Sequence, residues 1–282
     1  MALFKKLFLL LRIHHWVKSI FVLLGVIYTD LPGYWPKALI AAFVFCLIAS
    51  AVYIYNDLQD IEEDRLHPLK YRRPLASGEV SIPFALNVFA VLLITGLVMA
   101  FAVSTKLAAI LGVYLLINLL YNHWLRNVPV FDVICITSGF MLRILAGTIG
   151  IGLPITWWLT VTGTLFCFFI ALSKRRLEMQ LRLMHTSRAV LSKYHPRLLD
   201  FLIVSTAIGC FATYLLYIMY LHEDSFYFLL TIPFVAFGLW RFSVLTTKPH
   251  NNDDPVSLFL SDNLSRVNIL CFFVLTMMAL MK

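Results

Sequence analysis

Nine apolar blocks, each close to the length needed to cross a bilayer, restrict this chain more than any other feature. They lie near residues 15–30, 36–57, 83–103, 105–122, 130–150, 155–174, 198–220, 225–245 and 264–281. A membrane helix needs roughly 17–25 predominantly apolar residues. A soluble fold could not hide so many such blocks: 61% of the 282 residues are hydrophobic and 13% charged, against roughly 45–50% and about 25% in ordinary soluble domains. The expected architecture is all-α, a polytopic membrane bundle of about nine transmembrane helices forming one integral domain over residues 1–282. Lysines precede the first block without a small-residue cleavage site after it, so the N-terminus reads as mature sequence. The five cysteines all fall inside apolar runs with no CxxC spacing and read as small buried side chains.

Charge divides the loops into two sets. One set carries nineteen of the 23 Lys and Arg residues, including the long stretch from Lys174 to Arg197. The other carries Lys37, Lys106 and Lys282, and Arg143 lies within a block. Cytoplasmic loops hold the positive excess, so the N-terminus is expected inside, the C-terminus outside, and the long loops in the cytoplasm. The net charge of +8 suits anionic headgroups or phosphorylated substrates. It does not suit nucleic acid, because the cations are confined to short loops between apolar segments. The other set of loops includes the turns at Leu31-Pro32-Gly33 and His222-Glu223-Asp224.

The second block ends in Tyr55-Asn56-Asp57-Leu58-Gln59-Asp60-Ile61-Glu62-Glu63-Asp64-Arg65. Asp57, Asp60 and Asp64 stand at i, i+3 and i+7, one stripe of a helix. Three carboxylates there repel one another unless cations intervene. Mg²⁺ takes carboxylate oxygens, usually one or two together with substrate phosphates. A solvated acidic helix end is the simpler reading of the stripe alone. The sequence continues, however, into His67-Pro68-Leu69-Lys70-Tyr71-Arg72-Arg73-Pro74. Acids for a metal beside cations for the remaining oxygens suit a metal-diphosphate. His67 reads as a turn residue rather than a base.

The pattern Asn56-Asp57-x-x-Asp60-x-x-x-Asp64, followed by Arg73-Pro74-x-x-x-Gly78, resembles the first signature of the UbiA superfamily of membrane prenyltransferases. The resemblance implies a nine-helix fold with Asn56, Asp57, Asp60 and Asp64 binding Mg²⁺-diphosphate. Prenyltransferases of that superfamily carry a second aspartate-rich motif in a later loop. The corresponding stretch here, Ala171-Leu172-Ser173-Lys174-Arg175-Arg176-Leu177-Glu178, has cations instead. With Trp16-Val17-Lys18, Tyr121-x-x-x-Leu125-Arg126 and Phe140-x-x-Arg143-x-x-x-Gly147, the chain resembles the polyprenyl-phosphate phosphoribosyltransferase branch. Two positions depart from that branch: Arg126 stands where lysine is frequent, and Ser19 where asparagine is common.

The resemblance implies phosphoribosyl diphosphate as donor, a polyprenyl phosphate as acceptor, Mg²⁺ as cofactor and a bacterial inner-membrane location with the site facing the cytoplasm. Asp57, Asp60 and Asp64 would hold the metal, and Lys70, Arg72 or Arg73 the donor's phosphates. Lys174, Arg175, Arg126 and Lys18 would orient the lipid phosphate. Arg143, an intramembrane cation, is a functional candidate by cost alone, with a structural salt bridge to Asp132 as its plain alternative. Tyr121 joins the same group of candidates. Asp253, Asp254 and Asp262 carry no assignment, and such a bundle is compatible with a homo-oligomer. Two other functions compete: transfer of an isoprenoid from its diphosphate to another acceptor, and lipid-phosphate transport, which would place ionisable groups through the membrane centre.

Overall fold

The computed structural model describes residues 2–28, 31–66, 70–182, 193–222, 225–247 and 254–280. His67 and Pro68, the middle of the long basic loop, Glu223 and Asp224, Asp253 and Lys282 lie outside them. Every regular element among the described residues is helical: α1 (Ala2–Leu10), α2 (Ile20–Ile27), α3 (Trp35–Gln59), α4 (Ile61–Leu66), α5 (Ile82–Val103), α6 (Thr105–His123), α7 (Phe131–Ala146), α8 (Trp157–Arg182), α9 (Pro196–Leu221), α10 (Phe226–Thr247), α11 (Pro255–Ser261) and α12 (Asn263–Leu280). Eight helices are long and apolar enough to cross a membrane, and the number reaches nine if the bent pair Phe4–Leu10 and Ile13–Ile27 forms one span. This is a multi-pass membrane protein.

The first expected span differs from a plain helix. After α1 the chain enters the left-handed region at Arg12 (φ 49°), continues as a 3-10 helix over Ile13–Ser19 and only then becomes α2. The two halves of the pair are bent by 44°. Prolines mark other starts: Pro36, Pro83, Pro196 and Pro255 all occupy a first helical turn, where the missing N–H is one the helix could not have bonded anyway.

The chain forms two compact units, and the division falls inside α7. The first comprises residues 1–124 and 142–155. Its centre is α3, with thirteen of 25 residues buried against three of 22 in α5. Val44, Phe45, Ile48 and Val52 of α3 meet Leu107, Leu111 and Tyr114 of α6, with Leu142 and Ala146. Gly147 is required by this packing, since a Cβ there would lie 1.5 Å from the carbonyl oxygen of Val22. Such close backbone approach is how helices associate where lipid removes the hydrophobic drive. Ser104 joins α5 to α6 by accepting the Leu107 N–H at 2.9 Å and donating to the Gly150 carbonyl at 2.5 Å.

The second unit comprises residues 125–141 and 156–282. Here α8 packs along α9, and α10 along α12. Inside it Asn268 donates to the Phe234 carbonyl at 3.1 Å, and Tyr214 shares a hydrogen bond with Thr231 at 2.6 Å. Two of the acids left unassigned by sequence, Asp254 and Asp262, act as caps. Asp254 accepts from the Ser257 N–H at the start of α11, and Asp262 from the Ser265 N–H at the start of α12 while pairing with Arg241.

Candidate active site

The acid stripe does not lie on a single helix. α3 ends at Gln59, Asp60 caps it, and α4 begins at Ile61. The hydrogen-bond ladder nevertheless runs through the break, from the Asp60 N–H to the Asn56 carbonyl and from the Asp64 N–H to the Asp60 carbonyl. The helical phase therefore survives, and Asp57 and Asp64 reach the same place. Both are buried, at 3% exposure, whereas Asp60 is half-buried.

A single guanidinium nitrogen joins the two. Arg73 Nη1 lies 3.0 Å from Asp57 Oδ1 and 2.6 Å from Asp64 Oδ2. Lys70 Nζ stands 4.0 Å from Asp64 Oδ1. A third cation comes from the N-terminal bend: Arg12 Nη2 donates to Asp57 Oδ1 at 2.6 Å, and its guanidinium lies over the Tyr53 ring, 5.0 Å from the centroid. Two carboxylates thus share a buried point with three cations around them. At the edge of this group Asn122 donates to Asn56 Oδ1, and Tyr55 and His123 share a hydrogen bond at 2.9 Å. These contacts fix the end of α6 to the end of α3.

Can this group hold a divalent ion? Among the described residues no three His, Cys, Asp or Glu side chains are placed to do so by themselves. Mg²⁺, however, is ordinarily held by one or two carboxylates with substrate phosphates and water completing its shell. Oxygens of Asp57 and Asp64 already converge within 3.0 Å of one positively charged nitrogen. The donor set fits an ion shared with a phosphorylated ligand.

The family model described as the UbiA prenyltransferase family matches residues 19–263. The chain belongs to that family. It is 30% identical to a decaprenyl-phosphate phosphoribosyltransferase of Corynebacterium glutamicum, over 95% of this chain and 85% of the relative. With the protein of the same name from Mycolicibacterium smegmatis it shares 33% identity over 60% of this chain, and the match spans 56% of that relative. Among solved structures, a UbiA homolog from Archaeoglobus fulgidus bound to GPP and Mg2+ is similar in fold. The TM-score is 0.70 at 15% identity, with 98% of this chain and 100% of that one covered.

Other residues expected in this UbiA-family site have different surroundings. Arg72 is exposed and donates to the Tyr71 hydroxyl at 2.9 Å. Lys18 is buried in the 3-10 helix, and Tyr121 is half-buried on α6. Arg143 is 5% exposed, with its guanidinium 4.6 Å from the Phe45 ring centroid and 5.4 Å from that of Tyr114. Arg143 and Asp132 stand eleven residues apart on α7, about three turns, and each has other partners. The expected alternative pairing between them is replaced by these contacts.

Within the second unit Arg175 and Asp132 are both fully buried, with Arg175 Nε 2.8 Å from Asp132 Oδ2. Arg175 also donates to Glu178, and Glu178 Oε1 lies 3.9 Å from Lys174 Nζ. The Tyr194 hydroxyl donates to Asp132 and accepts the Val130 N–H at 2.8 Å. Burial first, and the bond to Asp132 second, push that hydroxyl above its ordinary range. Arg176 pairs with Asp200 at 2.6 Å. Lys174 retains 30% of its side-chain exposure, and Arg126 is half-buried in a short 3-10 turn. Sequence reasoning counted Arg12 only among the topology cations and did not find Asn122 or Tyr194. No spacing signal linked these residues to the acids, because each reaches its partner through tertiary packing.

Proposed function

We propose that this UbiA-family chain transfers a 5-phosphoribosyl group from phosphoribosyl diphosphate to a polyprenyl phosphate, with Mg²⁺, at the cytoplasmic face of a bacterial inner membrane. One observation carries the reading: two buried carboxylates, Asp57 and Asp64, meet at one guanidinium nitrogen beside Arg12 and Lys70. Similarity to decaprenyl-phosphate phosphoribosyltransferases along almost the whole chain supports the choice of substrates.

Asp57 and Asp64 would hold the metal, with Asp60 and Asn56 beside them. A bound Mg²⁺ would neutralise charge on the departing diphosphate. Arg73 and Lys70 would turn from the carboxylates to phosphate oxygens, stabilising the negative charge that grows as the anomeric C–O bond breaks. The acceptor phosphate, already ionised at neutral pH, attacks the anomeric carbon, and the bonding pair leaves with diphosphate. No general base is needed.

In the second unit, Lys174 is the most accessible cation of its basic run, at 30% against 21% for Arg176, which Asp200 engages, and it would meet the lipid phosphate. Arg175 is the buried hub that fixes Glu178 and Asp132. A second aspartate cluster, which would favour a prenyl diphosphate donor, is absent from this stretch of sequence, and Asp200 is engaged by Arg176.

The decisive assay uses purified protein with phosphoribosyl diphosphate, polyprenyl phosphate and Mg²⁺, with and without EDTA. Diphosphate release that requires both substrates and disappears with EDTA is expected. Turnover only with prenyl diphosphates would overturn the reading.

A further inference from the structure

Arg12 has no role in the sequence pattern, yet it makes the shorter of the two guanidinium contacts to Asp57 Oδ1, 2.6 Å against 3.0 Å from Arg73. We infer that Arg12 is a displaceable counter-cation. It balances Asp57 until a divalent ion arrives, and then passes its charge to the phosphate oxygens that arrive with that ion. This rests on the reading of the Asp57 and Asp64 group as a metal-diphosphate site.

Four features of the local structure favour an exchange over a fixed ion pair. Asp57 Oδ1 is doubly engaged, so one acceptor atom faces two full positive charges. A Mg²⁺ ligated by that oxygen must displace at least one of them, because like charges at such distances repel strongly where water is scarce. Arg73 is additionally tied to Asp64, whereas among the described residues the ionic partner of Arg12 is Asp57. Arg12 is therefore the cheaper one to release.

Its guanidinium also has somewhere to remain. The plane lies over Tyr53, and this contact persists if the hydrogen-bond partner changes. Finally, Arg12 occupies the bend itself. Its left-handed backbone separates α1 from the 3-10 helix, with the His15 N–H bonded to its carbonyl at 2.8 Å. A side chain leaving from a bend can swing without dragging a helix along.

The consequence is a pair of effects of opposite sign. Removing the Arg12 charge should tighten binding of a divalent ion on its own, because a competitor for Asp57 has gone. It should weaken binding of diphosphate in the presence of that ion, because a charge-assisted donor has gone. A residue that merely supported the fold would weaken both.

The test measures Mn²⁺ binding to the purified full chain in lipid nanodiscs by the loss of free-ion EPR signal. Calorimetry with inorganic diphosphate at saturating Mg²⁺ supplies the second readout. For Arg12→Gln, Mn²⁺ affinity should rise several-fold, and diphosphate affinity should fall by about tenfold or more, the worth of a hydrogen bond to a charged group. Arg12→Lys, keeping the charge without the fork, should restore most of the wild-type Mn²⁺ affinity and only part of the diphosphate affinity.

Unchanged binding of both probes, or parallel loss of both with a lowered melting temperature, would overturn the proposal. Wild-type protein that binds neither Mn²⁺ nor diphosphate would instead sink the site reading beneath it, and the proposal with it.

Discussion

The residues that matter most here are charged side chains that a membrane protein can bury only in company. Asp132 and Arg175 are fully enclosed, and their mutual attraction together with the Glu178 and Tyr194 contacts offsets the loss of water. Removing one partner from such a pair typically costs about 3–5 kcal/mol, because the other charge is left buried alone. Asp132→Asn should therefore lower thermal stability strongly in detergent. Lys174→Ala, at a side chain with 30% exposure and a 3.9 Å contact, should leave stability within about 0.5 kcal/mol of wild type while raising the KM for polyprenyl phosphate. Thermal melts of both variants beside acceptor titrations check this pair. Arg175→Met should also destabilise, because it leaves the Asp132 and Glu178 carboxylates without their cation. The adjacent Lys174-Arg175-Arg176 looks like one basic patch in sequence. Tertiary partners divide it into an ion-pair hub, an Asp200 partner and an accessible lysine, a division no linear pattern carries.

At the scale of elements, packing and capping give two separable expectations. Gly147→Ala would drive a Cβ into the Val22 carbonyl. Backbone cannot yield as a flexible side chain does, so a loss of at least about 1–3 kcal/mol is expected, whereas Gly33→Ala meets nothing within 4 Å and serves as the neutral control. Asp262 ties α12 to α10. Hydrogen bonds from Arg241 and then from Ser265 hold its carboxyl well below the usual carboxylate range. The folded state thus binds this proton less readily than the unfolded chain. Stability from Asp262 is complete above the unfolded value near pH 4 and fades as pH falls below it toward the folded value. Asp262→Asn keeps a capping side chain but loses the charge that faces Arg241, so it should cost up to about 1 kcal/mol at neutral pH, the worth of a partly exposed ion pair, and the gap between variant and wild type should narrow as pH falls below about 4. Melting curves at several pH values test the direction. A gap that widens on acidification would contradict it. The nine expected spans were legible in the sequence because each is a long apolar run, the one near 15–30 falling in the bent N-terminal pair that brings the number to nine. The break in that pair was not legible, because it comes from the left-handed Arg12 and the 3-10 stretch, and neither changes the hydropathy.

For the molecule as a whole, that break also bears on the path of the chain through the bilayer. Arg12 bonds Asp57, so the bend stands level with the acid end of α3, where the cationic turn begins. On that placement α1 would precede the crossing, which would fall to Ile13–Ile27. Seven residues of 3-10 helix at about 2.0 Å and eight of α-helix at about 1.5 Å per residue reach roughly 26 Å, close to a hydrocarbon core of about 30 Å. The stretched 3-10 geometry lets a short segment do what an α-helix of the same length would do less well. α1, with Lys5 and Lys6 set among Phe4, Phe8 and Leu9 that retain 37–75% exposure, has the composition of a helix lying at the interface. With Ile13–Ile27 as a true crossing, the described helices make nine passes, and the expectation from the excess of cations is an N-terminus in the cytoplasm and a C-terminus outside. Single cysteines at Ala2 and after Lys282, in a background lacking the native five, should label from opposite sides with a membrane-impermeant maleimide. Labelling of both ends from one side would mean that Ile13–Ile27 turns back within the bilayer. The acid end of α3 would then need another explanation for its Arg12 partner.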